Sequence, residues 1–408
     1  MSLPSLSDKR LKSYALVTFN YWNFTVTDGA LRMLVVLYFY SLGYQPLEIA
    51  MLFLFYEFFG VVTNLVGGWL GARIGLNKTM NAGLAMQIVA LLMMALPSEH
   101  LSIPLVMCAQ AISGIAKDLN KMSAKTSIKN LVNHNQQGKL YQWVAVLTGS
   151  KNALKGAGFF LGGTLLSLIG FQSSMLAMAG VLMLVLIGSL MFIEKDMGKA
   201  KSKLKFSQLF SSSRAINILS AARMFLFGSR DVWFVIALPI YLGSVFDWNH
   251  SETGGFMALW VIAYGVVQGI APSITGSDDG NTQSRGAAIT WAVVLLMVSL
   301  LVTFAVQYQW HPELTIIAGL LAFSAVFAIN SSLHSYLIVS YAREDGASMD
   351  VGFYYMANAM GRLIGTVLSG WVFQWGGLSS CLWISSTFIL LTVVISLALP
   401  EQHESCPN

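Results

Sequence analysis

Apolar residues run through this chain in long stretches set apart by short polar ones, each near the ~20 residues with which a helix crosses ~30 Å of hydrocarbon. Twelve such segments are predicted, at about 14–41, 47–70, 79–97, 101–124, 140–168, 174–193, 215–245, 253–273, 286–307, 314–340, 351–375 and 378–399. In six of them polar positions recur at every third or fourth residue, which lines them along one helix face. Segment 1 aligns Tyr21, Thr25, Asp28 and Arg32; segment 2 aligns Glu57, Gly60 and Asn64. Segment 4 aligns Gln110, Ser113, Lys117 and Lys121, with Lys125 and Lys129 continuing the stripe. Segment 5 gives Thr148, Lys151, Lys155, Gly158 and Gly162, and segment 7 gives Arg223, Phe227, Arg230, Phe234 and Tyr241. Segment 11 gives Tyr355, Asn358, Arg362 and Ser369. Such stripes suit a water-filled cavity that takes up a charged solute. The predicted class is an all-α membrane protein with twelve transmembrane helices.

Composition agrees with a bilayer. Of 408 residues 55% are hydrophobic and 11% charged, far from the balance of a soluble domain. Met1 to Ser13 is polar and holds Lys9, Arg10 and Lys12, and no small-residue cleavage site follows the first apolar run, so segment 1 is predicted to be an uncleaved span. With the N-terminus inside, the inner connections hold Arg73, Lys78, Lys125, Lys129, Lys139, a cluster from Lys195 to Lys205, Arg214, Arg285 and Arg343. The outer ones hold His100, His250, His311 and a few acids, without Lys or Arg, so both termini are expected to be cytoplasmic. The net charge of +5 therefore describes a positive inner face against lipid headgroups, and no nucleic-acid partner is expected. Cys108, Cys381 and Cys406 are scattered and have no metal-ligand spacing. No cofactor is expected.

The chain repeats itself. A shift of 203 residues lays Asp28 on Asp231 and Tyr38 on Tyr241, and two more lay Gly60-Val61-Val62 on Gly265-Val266-Val267. The expected organisation is a six-helix half over 1–193, a cytoplasmic central loop over 194–214 (EKDMGKAKSKLKFSQLFSSSR) and a second six-helix half over 215–408 with a short cytoplasmic tail. Segments 3, 6, 9 and 12 carry no charge, whereas the charges away from segment ends fall on segments 1, 2, 4, 5, 7 and 11. This arrangement resembles major facilitator permeases, in which the third helix of each triplet is peripheral and the others line the cavity. The resemblance implies two six-helix pseudo-repeats with a site between them near the midplane.

The charges themselves are unbalanced. Eight cations lie within the segments (Arg32, Lys117, Lys121, Lys151, Lys155, Arg223, Arg230 and Arg362) against four acids, Asp28, Glu57, Asp118 and Asp231. A charge at bilayer depth costs from ~3 to ~15 kcal/mol and must face protein or water. If each acid pairs with one cation, four cations remain, and they suit an anionic solute. Arg32, Arg230 and Arg362 have the planar donor fork that binds two oxygens of a tetrahedral oxyanion, and Lys117, Lys151 and Lys155 are point charges for the same task. Tyr21 and Asn358 complete the expected substrate contacts. Asp28, Glu57 and Asp231 either balance these cations or carry a coupling proton, and Asp118 is placed to pair with Lys121 one turn away. Lys121 either lines the pathway or snorkels to headgroups, and Arg223 is an access residue or a gate. His334, with Asn330 beside it, is expected to be an ordinary polar wall residue.

Two passages match family patterns imperfectly. GGWLGARIGLNK (67–78) resembles the major facilitator loop between the second and third helices, with Gly68, Leu70, Arg73 and Gly75 in place, but Ala72 stands where the pattern has aspartate. Gly149, Gly158 and Gly162 follow the antiporter glycine spacing, but Gly163 occupies its proline position; close packing through small residues is the simpler reading. The stretches GYQPLEIAMLFLFYEFFGVVTNLVGGWLGARIGLNKTMN (43–81), KDLNKMSAKTSIK (117–129) and GKLYQWVAVLTGSKNALKGAGFFLGG (138–163) are similar to organoarsenical-efflux permeases of bacterial arsenic-resistance operons (ArsJ type).

That resemblance implies an efflux transporter of the inner membrane, functional as a monomer, exporting 1-arseno-3-phosphoglycerate made by glyceraldehyde-3-phosphate dehydrogenase. Trivalent arsenic would call for clustered thiolates instead. Alternatives with the same cations are an exchanger of ordinary organophosphates or sugar phosphates, and an anion channel, which the two-half repeat disfavours. An intramembrane enzyme is disfavoured because the segments contain no metal-ligand cluster and only His334 among histidines.

Overall fold

The computed structural model describes residues 8–74, 76–131, 137–192, 213–275, 285–341 and 347–400, and their side chains except those of 8–14, 67–74, 76, 122, 125–131, 137–149, 272, 339–340 and 347–349. Among the described residues every regular element is helical. In chain order these are α1 (Asp8–Ser41), α2 (Pro46–Leu52), α3 (Leu54–Ile74), α4 (Leu76–Met94), α5 (Ile103–Leu131), α6 (Gln137–Phe192), α7 (Arg214–Phe234), α8 (Ala237–Val245), α9 (His250–Ile274), α10 (Arg285–Gln307), α11 (Pro312–Tyr341) and α12 (Ala347–Ser396), with one turn of 3-10 helix at Ser98–His100. Among the described residues seven stretches are long and apolar enough to cross a membrane, and the protein is a multi-pass membrane protein.

The elements differ from the twelve predicted segments in two ways. Segments 5 and 6 follow one another without a loop in α6, and segments 11 and 12 in α12, with the helix broken at each predicted boundary. The apolar part of α6, Ser150–Phe192, has 43 residues, a length of ~65 Å at 1.5 Å each and twice what a bilayer core accepts. It turns back at Gly170, where φ is 75° and ψ 178°, and α12 does so at Gly377 with φ 64° and ψ −166°. Only glycine enters that region without a Cβ clash. The two turns stand at matching places in the two halves of the repeat.

Segment 7, expected as one helix, is two. Pro239 has no amide to give the Val235 carbonyl, so the helix parts upstream, between Phe234 and Ala237. The Ser369 hydroxyl accepts the freed Ile236 and Ala237 amides at 3.3 and 3.1 Å. Segment 2 is likewise divided, into α2 and α3 at Phe53.

The chain gathers into two compact units. One comprises 1–44, 51–206 and 247–262, the other 45–50, 207–246 and 263–408. In the first, α1 lies against α6, α3 and α4 against α5, and α4 against α6. Small residues set these approaches: a Cβ on Gly158 would lie 2.4 Å from the Val26 carbonyl oxygen, and one on Gly162 2.6 Å from that of Ala30. Gly163 is equally tight against the His250 carbonyl, so these glycines of the antiporter-like spacing act as packing surface. Gly149 and the side chains of 67–76 lie outside the described residues, as does all of the central loop except Ser213 and Arg214. In the second unit α7 packs on α12 and α11, and α10 on α11 and α12. A core of Ile216, Leu219, Ala288, Leu337, Ile338, Tyr354 and Leu399 closes one end, and Ser299 and Ser386 share a buried hydrogen bond of 2.9 Å.

These contacts make a prediction. Gly158→Ala should destabilise the protein by ~1–3 kcal/mol through overpacking, read as a lower heat-aggregation midpoint. Gly180→Ala, where a Cβ meets nothing within 4 Å, should leave that midpoint unchanged or slightly raised. Equal midpoints in both variants would show that α1 and α6 are not in the contact described.

Candidate functional site

Each unit contains its own cluster of buried charge. In the first, α1 brings Asp28 and Arg32 one turn apart, and α3 brings Tyr56 and Glu57. Arg32 is 7% exposed and pairs with Glu57, itself 1% exposed. The Arg32 guanidinium also lies 5.4 Å from the centre of the Phe53 ring and 5.0 Å from that of Tyr56. Tyr56 donates its hydroxyl to Asp28 Oδ1 at 2.7 Å, and Lys117 Nζ stands 4.0 Å from the centre of the same ring.

Next to Lys117 on α5, the buried Asp118 accepts from Thr63 at 2.9 Å, Asn64 at 3.3 Å and Lys121 at 3.3 Å, and Lys121 also donates to Asn64 Oδ1 at 2.8 Å. The pairing of Asp118 with Lys121 expected from their spacing is thus present. Gly60 borders this group, and a Cβ there would meet Lys117 Nζ and Asp118 Oδ2 at an ordinary contact distance of 3.6 Å each. On α6, Lys151 and Lys155 are half-buried, with Lys155 Nζ 5.6 Å from the Phe159 ring centre. Tyr21 is buried, and its carbonyl accepts the Thr25 hydroxyl at 2.7 Å.

In the second unit Asp231 is fully buried and holds two arginines. Arg230 Nε donates to its Oδ1 at 2.6 Å, and Arg362 Nε to its Oδ2 at 3.2 Å. Gly365 makes the second approach possible, because a Cβ on it would lie 2.9 Å from the Asp231 Cβ. Arg230 is ringed by Phe227, Phe327 and Phe234 at 5.1, 5.6 and 5.9 Å. Arg223, 4% exposed, donates to Asn358 Oδ1 at 3.1 Å and to the Ser331 carbonyl at 3.0 Å, over the rings of Phe227 at 4.0 Å and Tyr354 at 5.1 Å. Asn358, expected to meet substrate, is therefore also a ligand of Arg223. His334 is fully enclosed, neither ring nitrogen making a hydrogen bond.

The assumed pairing of one acid with one cation is not what the structure shows. Asp231 serves two arginines, and Asp28 takes a tyrosine hydroxyl. Two residues go beyond the sequence reading. Tyr56 lies four residues before Gly60, on the stripe already drawn through segment 2, so helical spacing carried its signal. Asp350 is completely buried and sits one residue ahead of predicted segment 11, outside the polar stripes. It adds a fifth buried acid. Glu48, at the head of α2, is a capping residue instead, accepting the Gln45 amide at 2.8 Å. Among the described residues no group of three or more His, Cys, Asp or Glu is placed to hold a metal ion, and Cys108 and Cys381 are free thiols.

A family model described as Major Facilitator Superfamily matches residues 14–335. Among solved structures the chain is similar to a POT family transporter in complex with 5-aminolevulinic acid, at 14% identity and a TM-score of 0.77, covering 95% of this chain and 96% of that one. It is similar to the same extent, with a TM-score of 0.78, to a POT family transporter in complex with a thioalcohol-conjugated peptide. No curated protein matches the sequence.

Proposed function

From the premise that this chain belongs to the major facilitator superfamily, whose members are membrane transporters of small substrates, we propose that it exports an organic oxyanion, 1-arseno-3-phosphoglycerate, from the cytoplasm. The observation that carries this reading is the cationic set within each unit, buried at Arg32 and half-buried at Lys117, Lys151 and Lys155 in one and at Arg230 and Arg362 in the other. Lining a permease interior with arginine and lysine is costly unless an anion is what the interior receives. The chemistry of the set fits a substrate ending in tetrahedral oxyanions, since guanidinium forks and ammonium points both bind such groups. The resemblance of 43–81, 117–129 and 138–163 to organoarsenical-efflux permeases supplies the choice of substrate within that class.

Tyr21 and Asn358 join these cations as substrate contacts, and Arg223 and Lys121 control access. Asp28, Glu57, Asp118 and Asp231 balance charge. The membrane is the bacterial inner membrane with both termini cytoplasmic, supported by the one-sided distribution of Lys and Arg over the connections. Export of a trianion from a negative interior is itself favourable, by about 7 kcal/mol per 100 mV at ~2.3 kcal/mol per charge. Transport by alternating access therefore needs no coupling ion.

The substrate must be made in the cytosol, and this gives the test. In cells lacking other arsenate defences, the permease should raise arsenate tolerance only when glyceraldehyde-3-phosphate dehydrogenase is supplied with it, and arsenite tolerance should not change. Arsenic efflux from arsenate-loaded cells should depend on the dehydrogenase in the same way. Equal protection in a strain without any such dehydrogenase would sink the organoarsenical reading. Uptake of 3-phosphoglycerate in exchange for phosphate, without any effect on tolerance, would identify an ordinary organophosphate exchanger.

A further inference from the structure

We infer that Tyr56 is a positioning residue of the first unit's cationic cluster, its ring fixing Lys117 and Arg32 and its hydroxyl fixing Asp28. Three helices meet at this side chain. Lys117 Nζ from α5 is 4.0 Å and the Arg32 guanidinium from α1 is 5.0 Å from its ring centre. The hydroxyl reaches Asp28 Oδ1 at 2.7 Å. A buried tyrosine present only to fill space would not need cations from two helices and a carboxylate from one of them.

The ring acts through its charge distribution. Its faces are negative, so it attracts both cations and is most effective where water is excluded; Tyr56 is 3% exposed. Lys117 has a flexible four-carbon stem and would otherwise sample many positions. Arg32 has Glu57 as a further anchor, and Lys117 Nζ shares the space beside Gly60 with Asp118 Oδ2, so the ring adds to a carboxylate at each cation, and Lys117, with the longer flexible stem, reports its loss. The ring is itself held, because α3 lies directly on Gly114, where a Cβ would be 2.5 Å from the Tyr56 carbonyl oxygen. The position of Lys117 is thus written into the contact between α3 and α5.

The role of this placement in transport rests on the anion-export reading, whereas the placement itself does not, and the experiment separates the two. Purified full-length protein is treated with an amine-acylating ester, and modification of each lysine is followed by mass spectrometry, with the exposed Lys78 as internal reference. Tyr56→Leu should raise the Lys117 rate about fivefold, the loss of one cation–π contact, while Tyr56→Phe, which keeps the ring, should stay within about twofold of wild type. If Tyr56→Leu does not reach the membrane, Tyr56→Met, longer and more adaptable but also without the ring, replaces it. In everted vesicles, the ring-less variant should show a KM for the exported anion raised by roughly tenfold with little change in maximal rate, and Tyr56→Phe should restore the KM. An unchanged Lys117 rate in the ring-less variant overturns the inference, and so does a raised rate with an unchanged KM. Vesicles of wild type that move no anion would instead overturn the export reading, the labelling result standing on its own.

Discussion

Arg32→Gln is expected to abolish efflux and also to lower the heat-aggregation midpoint of the purified protein. Glu57 is 1% exposed and has the Arg32 guanidinium as its counter-charge. Breaking a buried pair from one side strands the other charge, at ~3–5 kcal/mol. A second substitution separates stability from transport. In Arg32→Gln with Glu57→Gln, two neutral amides replace the pair, and the midpoint should return most of the way to wild type. Efflux should stay absent, because the guanidinium fork proposed to bind the oxyanion is gone. Recovery of efflux in the double variant would show that Arg32 serves only to neutralise Glu57.

Asp231→Asn should have the opposite signature on binding. Asp231 is the shared acceptor of Arg230 and Arg362, so its neutralisation leaves two guanidiniums without that counter-charge in a buried place. Without ligand the variant should lose ~3 kcal/mol or more of stability. With 3-phosphoglycerate as a stand-in, heat protection should exceed that of wild type, since the anion supplies the charge that was removed, while turnover is lost. Asp28→Asn is the control: its partner is a neutral hydroxyl, and the loss should be nearer ~1–3 kcal/mol. A larger loss in Asp28→Asn than in Asp231→Asn would place the main counter-charge in the first unit.

The helices were legible in the sequence because the bilayer demands a length, and runs such as 286–307 and 314–340 end within two residues of α10 and α11. The clearest departure was set by a single residue. Pro239 splits segment 7 through a missing amide, which a window of hydrophobicity averages away. Gly170 and Gly377 turn the chain inside the boundaries drawn by composition, at 168–174 and 375–378, so those two breaks were legible although no polar loop marks them. Spacing along one helix also predicted the pairing of Asp118 with Lys121. Pairing between helices was not legible. That Glu57 takes Arg32, that Asp231 takes two arginines and that Tyr56 gathers Lys117, Arg32 and Asp28 are facts of tertiary approach. They are set by Gly114 and Gly365, which show no charge of their own.

The two loop-free turns bear on how the protein is made. A hairpin joined by one residue is offered to the insertion machinery as a single object rather than as two candidates judged in turn. In α6 the arm ahead of Gly170 carries Lys151 and Lys155, and each lysine at a helix centre disfavours insertion by ~2.5–3.5 kcal/mol. The arm behind it, 171–192, carries no charge at all. In α12 the arm ahead of Gly377 carries Arg362, and the arm behind, 378–396, is again uncharged. Each charged arm is thus tied to an uncharged one through a single glycine turn. Lengthening either turn with a few polar residues would loosen the tie, so that the halves of the hairpin would compete for the bilayer separately and the lysine-bearing arm would be left behind during biogenesis.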